Sequence, residues 1–314
     1  MVNLVLNENM KIYRRVRTWI LVGLMVALVL FINIIEWNED GKKAQGDGWR
    51  VKLQQDNQRY SEILKQPNLG KDDQTFYEQQ IVINNYHLEQ NIRSTDGTMW
   101  DGVNGSANLM IVITIFTIII AGDSLAGEFS SGTIKLLLIR PASRIKILVS
   151  KYISFLMFGM LLLFILFIIS VVINGILYGF EYMDLPLISM TTDGQILERN
   201  MVLNLWKTYM LNSISTVMYV TLAFMISSAF RSSAMAIGFS IGTLFAGNIV
   251  LEALHRFDWS KYLLFANTDL TQYLTERPYQ EDMTLSFSIG VLVVYFLVFN
   301  LISWLIFTRR DVAA

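Results

Sequence analysis

Tyr152–Leu177 reads YISFLMFGMLLLFILFIISVVINGIL, a run with no charged side chain. A helix rises 1.5 Å per residue, so about 20 apolar residues cross the roughly 30 Å of bilayer hydrocarbon. This run is long enough, and as a buried helix of a soluble domain it would have no polar face to give to water. It therefore predicts a membrane-spanning helix. The reading works outward from there.

Similar stretches occur at Thr18–Ile35, Leu109–Ala126, Trp206–Phe230, Ala234–Leu254 and Leu285–Phe307. Lys207 lies near one end of the fourth, where its stem can snorkel to the interface. The first is longer than a signal-peptide core and no small-residue cleavage site follows it. The 314 residues are 53% hydrophobic and only 16% charged, against about a quarter charged in soluble domains. Mean hydropathy is +0.43. The fold class expected is all-α: a polytopic membrane protein of six transmembrane helices. There is no cysteine, and only His87 and His255 as histidines. Disulfides, thiolate catalysis and Cys- or His-rich metal sites are therefore not expected, nor is any cofactor.

Charge sets the expected orientation. Lys11, Arg14, Arg15 and Arg17 precede the first span, Lys135, Arg140, Arg144, Lys146 and Lys151 follow the second, Arg231 follows the fourth, and Arg309 and Arg310 follow the sixth. With six spans these segments share one side, which holds 12 basic and 4 acidic residues against 13 and 22 opposite. The positive-inside rule then puts both termini in the cytoplasm of a plasma-membrane protein. Trp37, Trp100, Tyr178, Trp206 and Tyr262 fall near span ends, as aromatic belts do. The basic residues follow topology rather than one soluble face, so nucleic acid is not an expected partner.

The parts outside the spans divide the chain. Residues 1–16 read as an amphipathic helix on the membrane lipid, with Val2, Val5, Leu6 and Tyr13 opposite Asn3, Asn7, Lys11 and Arg14. Residues 17–35 are the first span. Residues 36–108 form a polar external insert, in which Val51–Lys65 and Asp72–Ile92 are helical and Pro67-Asn68-Leu69-Gly70 breaks them into a hairpin. Residues 109–314 carry the other five spans. Between the last two, Leu263, Leu264, Phe265, Leu270 and Tyr273 suggest short interfacial or re-entrant helices.

The stretch with most functional content is Ala121–Lys151, AGDSLAGEFSSGTIKLLLIRPASRIKILVSK, with a cytoplasmic segment at 124–150. The second span continues through Leu125 and Phe129, Gly132 permits a bend, Thr133–Ile139 forms a short apolar helix, Pro141 stops it and Ser143 caps the third span. Ile134, Leu136, Leu137 and Leu138 would be presented beside Lys135, Arg140 and Arg144, an apolar knob with a basic rim suited to a groove on a soluble partner.

This stretch resembles the signature of the permease subunits of type 2 ABC transporters. The family pattern is an acidic residue, Gly-Thr, a Leu-rich run, Pro-x-Ser-Arg and a Lys opening the next span. Here those are Glu128, Gly132-Thr133, Leu136-Leu137-Leu138, Pro141-Ala142-Ser143-Arg144 and Lys151. The ending Phe307-Thr308-Arg309-Arg310-Asp311 is similar too, whereas the large insert after the first span departs from the simplest members. The resemblance implies a permease without ATPase activity of its own, paired with a second permease subunit, identical or not, and with separate ABC ATPase subunits. The chain indeed lacks a Gly-x4-Gly-Lys-Ser/Thr phosphate loop. The residues expected to couple to the ATPase are Glu128, Gly132, Thr133, Leu136, Leu137, Arg140, Pro141 and Arg144. Glu128 would meet a basic residue of the ATPase, or brace the segment against Arg140 or Arg144. The substrate stays open among drugs, peptides, lipid-linked molecules and ions.

Two other readings differ in class. A membrane sensor or immunity protein would bind a peptide through the insert without transport. Gly238-Phe239-Ser240-Ile241-Gly242 matches the nucleophile-elbow pattern of serine hydrolases, but His255 lies 15 residues along the same helix, about 22 Å away. Gly238, Gly242 and Ala246 read instead as a small-residue row for helix packing. The span interiors lack carboxylates, and Asn33, Asn174, Asn212, Asn248 and Asn300 in or near them suit interhelical hydrogen bonds.

Overall fold

The computed structural model describes residues 1–38, 48–67, 69–135, 142–191, 194–274 and 278–309. Within them the chain is a polytopic α-helical membrane protein. Six helical stretches are long and apolar enough to cross a bilayer: Val16–Glu36, Met99–Ser130, Arg144–Tyr178, Met201–Ala229, Ser233–Leu254 and Leu285–Arg309. Five of the expected spans fall within these, the fourth overruns its helix by one residue at Phe230, and the third starts two turns earlier than its apolar run. The chain folds as two compact units, residues 1–25, 109–165 and 210–314, and residues 26–108 and 166–209.

The first unit begins with α1 (Val2–Tyr13), which runs into α2 (Val16–Glu36). α1 turns Glu8 and Asn9 inward and leaves Val2, Leu6 and Met10 exposed. An apolar face left outward beside a polar inward face suits a helix lying against lipid. α6 (Met110–Ser130) buries Ile113, Ile118, Leu125 and Ala126. It approaches α9 (Ser233–Leu254) so closely that a β-carbon at Gly122 would stand 3.0 Å from Ile237. Against α8 (Met201–Ala229), Thr114 and Thr216 share a hydrogen bond of 2.7 Å, and the Ser227 hydroxyl donates to the Gly122 carbonyl at 2.6 Å. In lipid, where apolar burial no longer drives helices together, such small residues and hydroxyls do so. α7 (Arg144–Tyr178) starts from Ser143, whose hydroxyl accepts from the Lys146 amide. Leu264, Leu270, Leu292 and Phe299 form a core with Met218 and Leu222 of α8. They come from α10 (Leu264–Thr268), the following 3-10 turn and α11 (Leu285–Arg309).

The second unit contains the insert. α3 (Gly48–Ile63) and α4 (Lys71–Gln90) pair as a hairpin, with Asn57 hydrogen bonded to both Asn84 and Asn85 at 2.8 Å. α4 ends at Asn91 in the left-handed region, φ 56°. His87 is buried there with Nδ1 2.9 Å from the Ile92 carbonyl. α5 (Met99–Ser106) supplies Met99, Trp100 and Val103 to a core shared with Met201 and Leu205. β1 (Pro186–Met190) and β2 (Ile196–Asn200) add a two-stranded antiparallel hairpin, Pro186 opposite Asn200 and Met190 opposite Ile196. The all-helical expectation missed it. Gly194, between the two strands, takes a positive φ (79°) that glycine adopts without strain.

A neutral polar cluster also lies in this unit. The Asn174 amide donates to Asn33 Oδ1 at 2.6 Å, and Ser106 and Asn33 bond at 3.0 Å. All three are buried. Asn174 occupies the space where a β-carbon on Gly102 would be, 1.8 Å from its Oδ1. Asn33 and Asn174 thus do pair between helices, as expected for asparagines inside spans.

Candidate functional site

Two carboxylates near the end of α6 organise the site. Glu128 sits in the last turn of the helix and Asp123 lies five residues earlier. Lys11 of α1 reaches Glu128 Oε1 at 2.9 Å, and Lys151 of α7 reaches the same oxygen at 3.3 Å. Both lysines also hold Glu8 of α1, at 3.0 and 2.8 Å. Two acids and two bases alternate in one closed network. The Lys151 side chain is 3% exposed, so its charge stands inside the protein and depends on both partners. Thr133 donates to the other Glu128 oxygen. The network joins α1, α6, α7 and the chain just past Gly132.

Asp123 organises a second group. Arg15 and Arg17 donate to its Oδ2 at 2.6 and 2.8 Å, and the Ser233 hydroxyl at the start of α9 donates to Oδ1. The two groups line one cavity of about 440 Å³. Outside the spanning helices, charge shows in the titration of α1. Burial would push the Glu8 carboxyl up, but Lys151 and then Lys11 outweigh it and hold it below its ordinary 4.5. Burial also works against the Lys11 ammonium, and the hydrogen bond to Glu128 with the charge of Glu8 raises it above 10.5 regardless.

The expected site residues separate. Glu128 and Thr133 are together. Gly132 adopts φ +72°, the bend its position called for, with open space around it. Arg144 is elsewhere: its Nη1 donates to the Thr308 carbonyl at 2.7 Å, at the end of α11 where orphan carbonyls and the helix dipole favour a cation. The internal brace for Glu128 is therefore Lys11 and Lys151, not Arg144. Ile134 is buried instead of presented. Leu136, Leu137, Arg140 and Pro141 lie outside the described residues. Gly238 and Gly242 have nothing within 4 Å of a built β-carbon, and Ala246 is exposed on the same helix. This row makes no packing contact within the described chain. Ser240 sits within the unbroken helix α9 and donates to the Ala236 carbonyl, so its pattern lacks the strand–turn–helix of a nucleophile elbow.

Glu8 and Lys11 were absent from the expected set. The sequence marks Lys151 as a basic residue of the orienting set and as the opening of the third span, not as a partner of Glu8 or Glu128. Their spacing carried a faint signal, Glu8 and Lys11 being neighbours at i, i+3. Nothing local indicated that Lys151 would join them.

Residues 71–313 match the model of a family described as "Protein of unknown function (DUF2705)". Over all of both chains the sequence is 42% identical to "Uncharacterized protein YhcI" of Bacillus subtilis (strain 168). It is 31% identical, over 69% of this chain and 85% of the relative, to "Uncharacterized membrane protein YdbK" of the same organism.

Proposed function

We propose a function from the premise that this multi-pass membrane protein belongs to the DUF2705 family: it is the permease subunit of an ATP-driven ABC exporter. It works with a second permease subunit and takes its energy from separate ATPase subunits through the segment after Gly132. The carrying observation is that Glu128, the acidic residue of the resemblance, is gripped by Lys11 and Lys151 and by Thr133 at the foot of that segment. A push on the segment would then reach α1 and α7 through charged contacts, not through a slack loop. In this reading the segment and both termini are cytoplasmic, and the α3–α4 hairpin is external.

The absence of native cysteine makes the test clean. Lys135→Cys gives one label site, and membrane-impermeant maleimide should reach it only after the cells are opened. A separate ABC ATPase should co-purify with the chain from its native cells and drive ATP-dependent transport in vesicles. Leu136→Asp with Leu137→Asp should remove both association and transport. Labelling of residue 135 from outside intact cells, or an ATPase that never associates, would sink the proposal.

A further inference from the structure

The cavity between α1, the start of α2, α6 and α7 has an imbalance of hydrogen-bonding capacity. Each of its three carboxylates is already served: both oxygens of Glu8, Asp123 and Glu128 accept from a lysine, an arginine or a hydroxyl. The arginines are not used up. A guanidinium has five N–H donors, yet Arg15 gives Asp123 only Nη1 and Arg17 only Nη2. Arg17 Nε is buried with no partner among the described residues. The lining holds four cations against three anions. What it still lacks is an acceptor carrying negative charge.

Position identifies where that acceptor comes from. Arg15 and Arg17 flank Val16, the first residue of the first spanning helix. The Trp19 indole donates to the Tyr13 carbonyl at 2.9 Å, and Val16, Trp19 and Ile20 are exposed apolar residues beside them. A span entering the bilayer here sets both guanidiniums at headgroup level. The cavity volume, about 440 Å³, lies in the usual range of ligand sites, roughly 300–1,000 Å³. Planar guanidiniums match phosphate oxygens well.

We propose that this cavity binds the phosphate of an anionic phospholipid headgroup, with Arg15 and Arg17 as its donors. The site does not depend on the exporter reading, because no ATPase enters the argument.

The test uses the full chain in detergent, titrated with phosphatidylglycerol, phosphatidylcholine or inorganic phosphate, with bound lipid counted by native mass spectrometry. Phosphatidylglycerol should bind more tightly than phosphatidylcholine. Arg15→Gln and Arg17→Gln should each weaken it about fivefold. Arg14→Gln, on an exposed neighbour outside the cavity, should leave it unchanged. Asp123→Asn should strengthen binding, since it releases both guanidiniums to the lipid. This opposite sign separates the site from simple loss of folding. Equal weakening by Arg14→Gln would mean diffuse attraction and overturn the proposal, as would unchanged or weaker binding in Asp123→Asn. Displacement of the lipid by millimolar inorganic phosphate would overturn the lipid as the source in favour of the free ion.

Discussion

Two polar clusters, one in each unit, do the same mechanical task with different chemistry. Glu8, Lys11, Glu128 and Lys151 tie α1, α6 and α7 together with full charges. Asn33, Ser106 and Asn174 tie α2, α5 and α7 together with amides and a hydroxyl. Full charges depend on each other: Lys151, Glu8 and Glu128 are largely withdrawn from water and are tolerable only while their partners stay. An amide stranded in the same way loses only a hydrogen bond. The charged cluster therefore breaks steeply and as a whole, and the neutral one yields in small steps. A cluster meant to transmit force should be of the first kind.

The largest expected effect tests that steepness. Lys151→Met leaves Glu8 and Glu128 sharing Lys11 alone. Breaking a buried pair from one side costs about 3–5 kcal/mol, and the loss should appear as a large fall in thermal midpoint in detergent. Lys151→Arg keeps the charge and should recover much of it. A Lys151→Met protein as stable as the parent would mean that the network carries no strain-bearing role.

The next effect breaks the neutral cluster by volume. Gly102→Ala places a methyl group 1.8 Å from Asn174 Oδ1, so Asn174 must leave its pairing with Asn33. Overpacking of this sort costs about 1–3 kcal/mol. Asn174→Ala should relieve it, so the double variant should be less destabilised than the two single losses added together. Additive losses would place Asn174 elsewhere.

The same contrast governs what could be read from the sequence. Hydropathy placed all six spans, because a bilayer imposes length and apolarity on the local chain. The α3–α4 hairpin was legible through the Pro67–Gly70 break. β1 and β2 were hidden between two long helical patterns, with little besides Gly194 to signal a reversal of the chain. In the site, Glu128 and Thr133 stood out because they lie close together in one motif. Glu8 meets Lys151, and Lys11 meets Glu128, across more than a hundred residues of chain, pairings that only helix packing decides. That Arg144 does not brace Glu128 has the same cause: it donates to a backbone carbonyl on the last helix, and no sequence pattern marks a carbonyl.

The finest distinction is pH dependence, because only one cluster can titrate. Lys151 and Lys11 hold the Glu8 carboxyl below 4.5 against the upward push of burial. A depressed carboxyl contributes stability that is fully present above its unfolded value and is lost as pH falls through the folded one. Glu8→Gln should therefore lower the thermal midpoint at pH 7, and the gap from the parent should close as pH drops below 4.5. Ser106→Ala removes a neutral interhelical hydrogen bond worth about 0.6 kcal/mol. Asn33, Ser106 and Asn174 do not ionise in this range, so its small gap should keep the same size across the whole titration. Parallel melts of the three proteins from pH 7 to pH 3 make the comparison. A Ser106→Ala gap that also closes with acid would show that the two clusters unfold as one, and the contrast between charge and amide would fail.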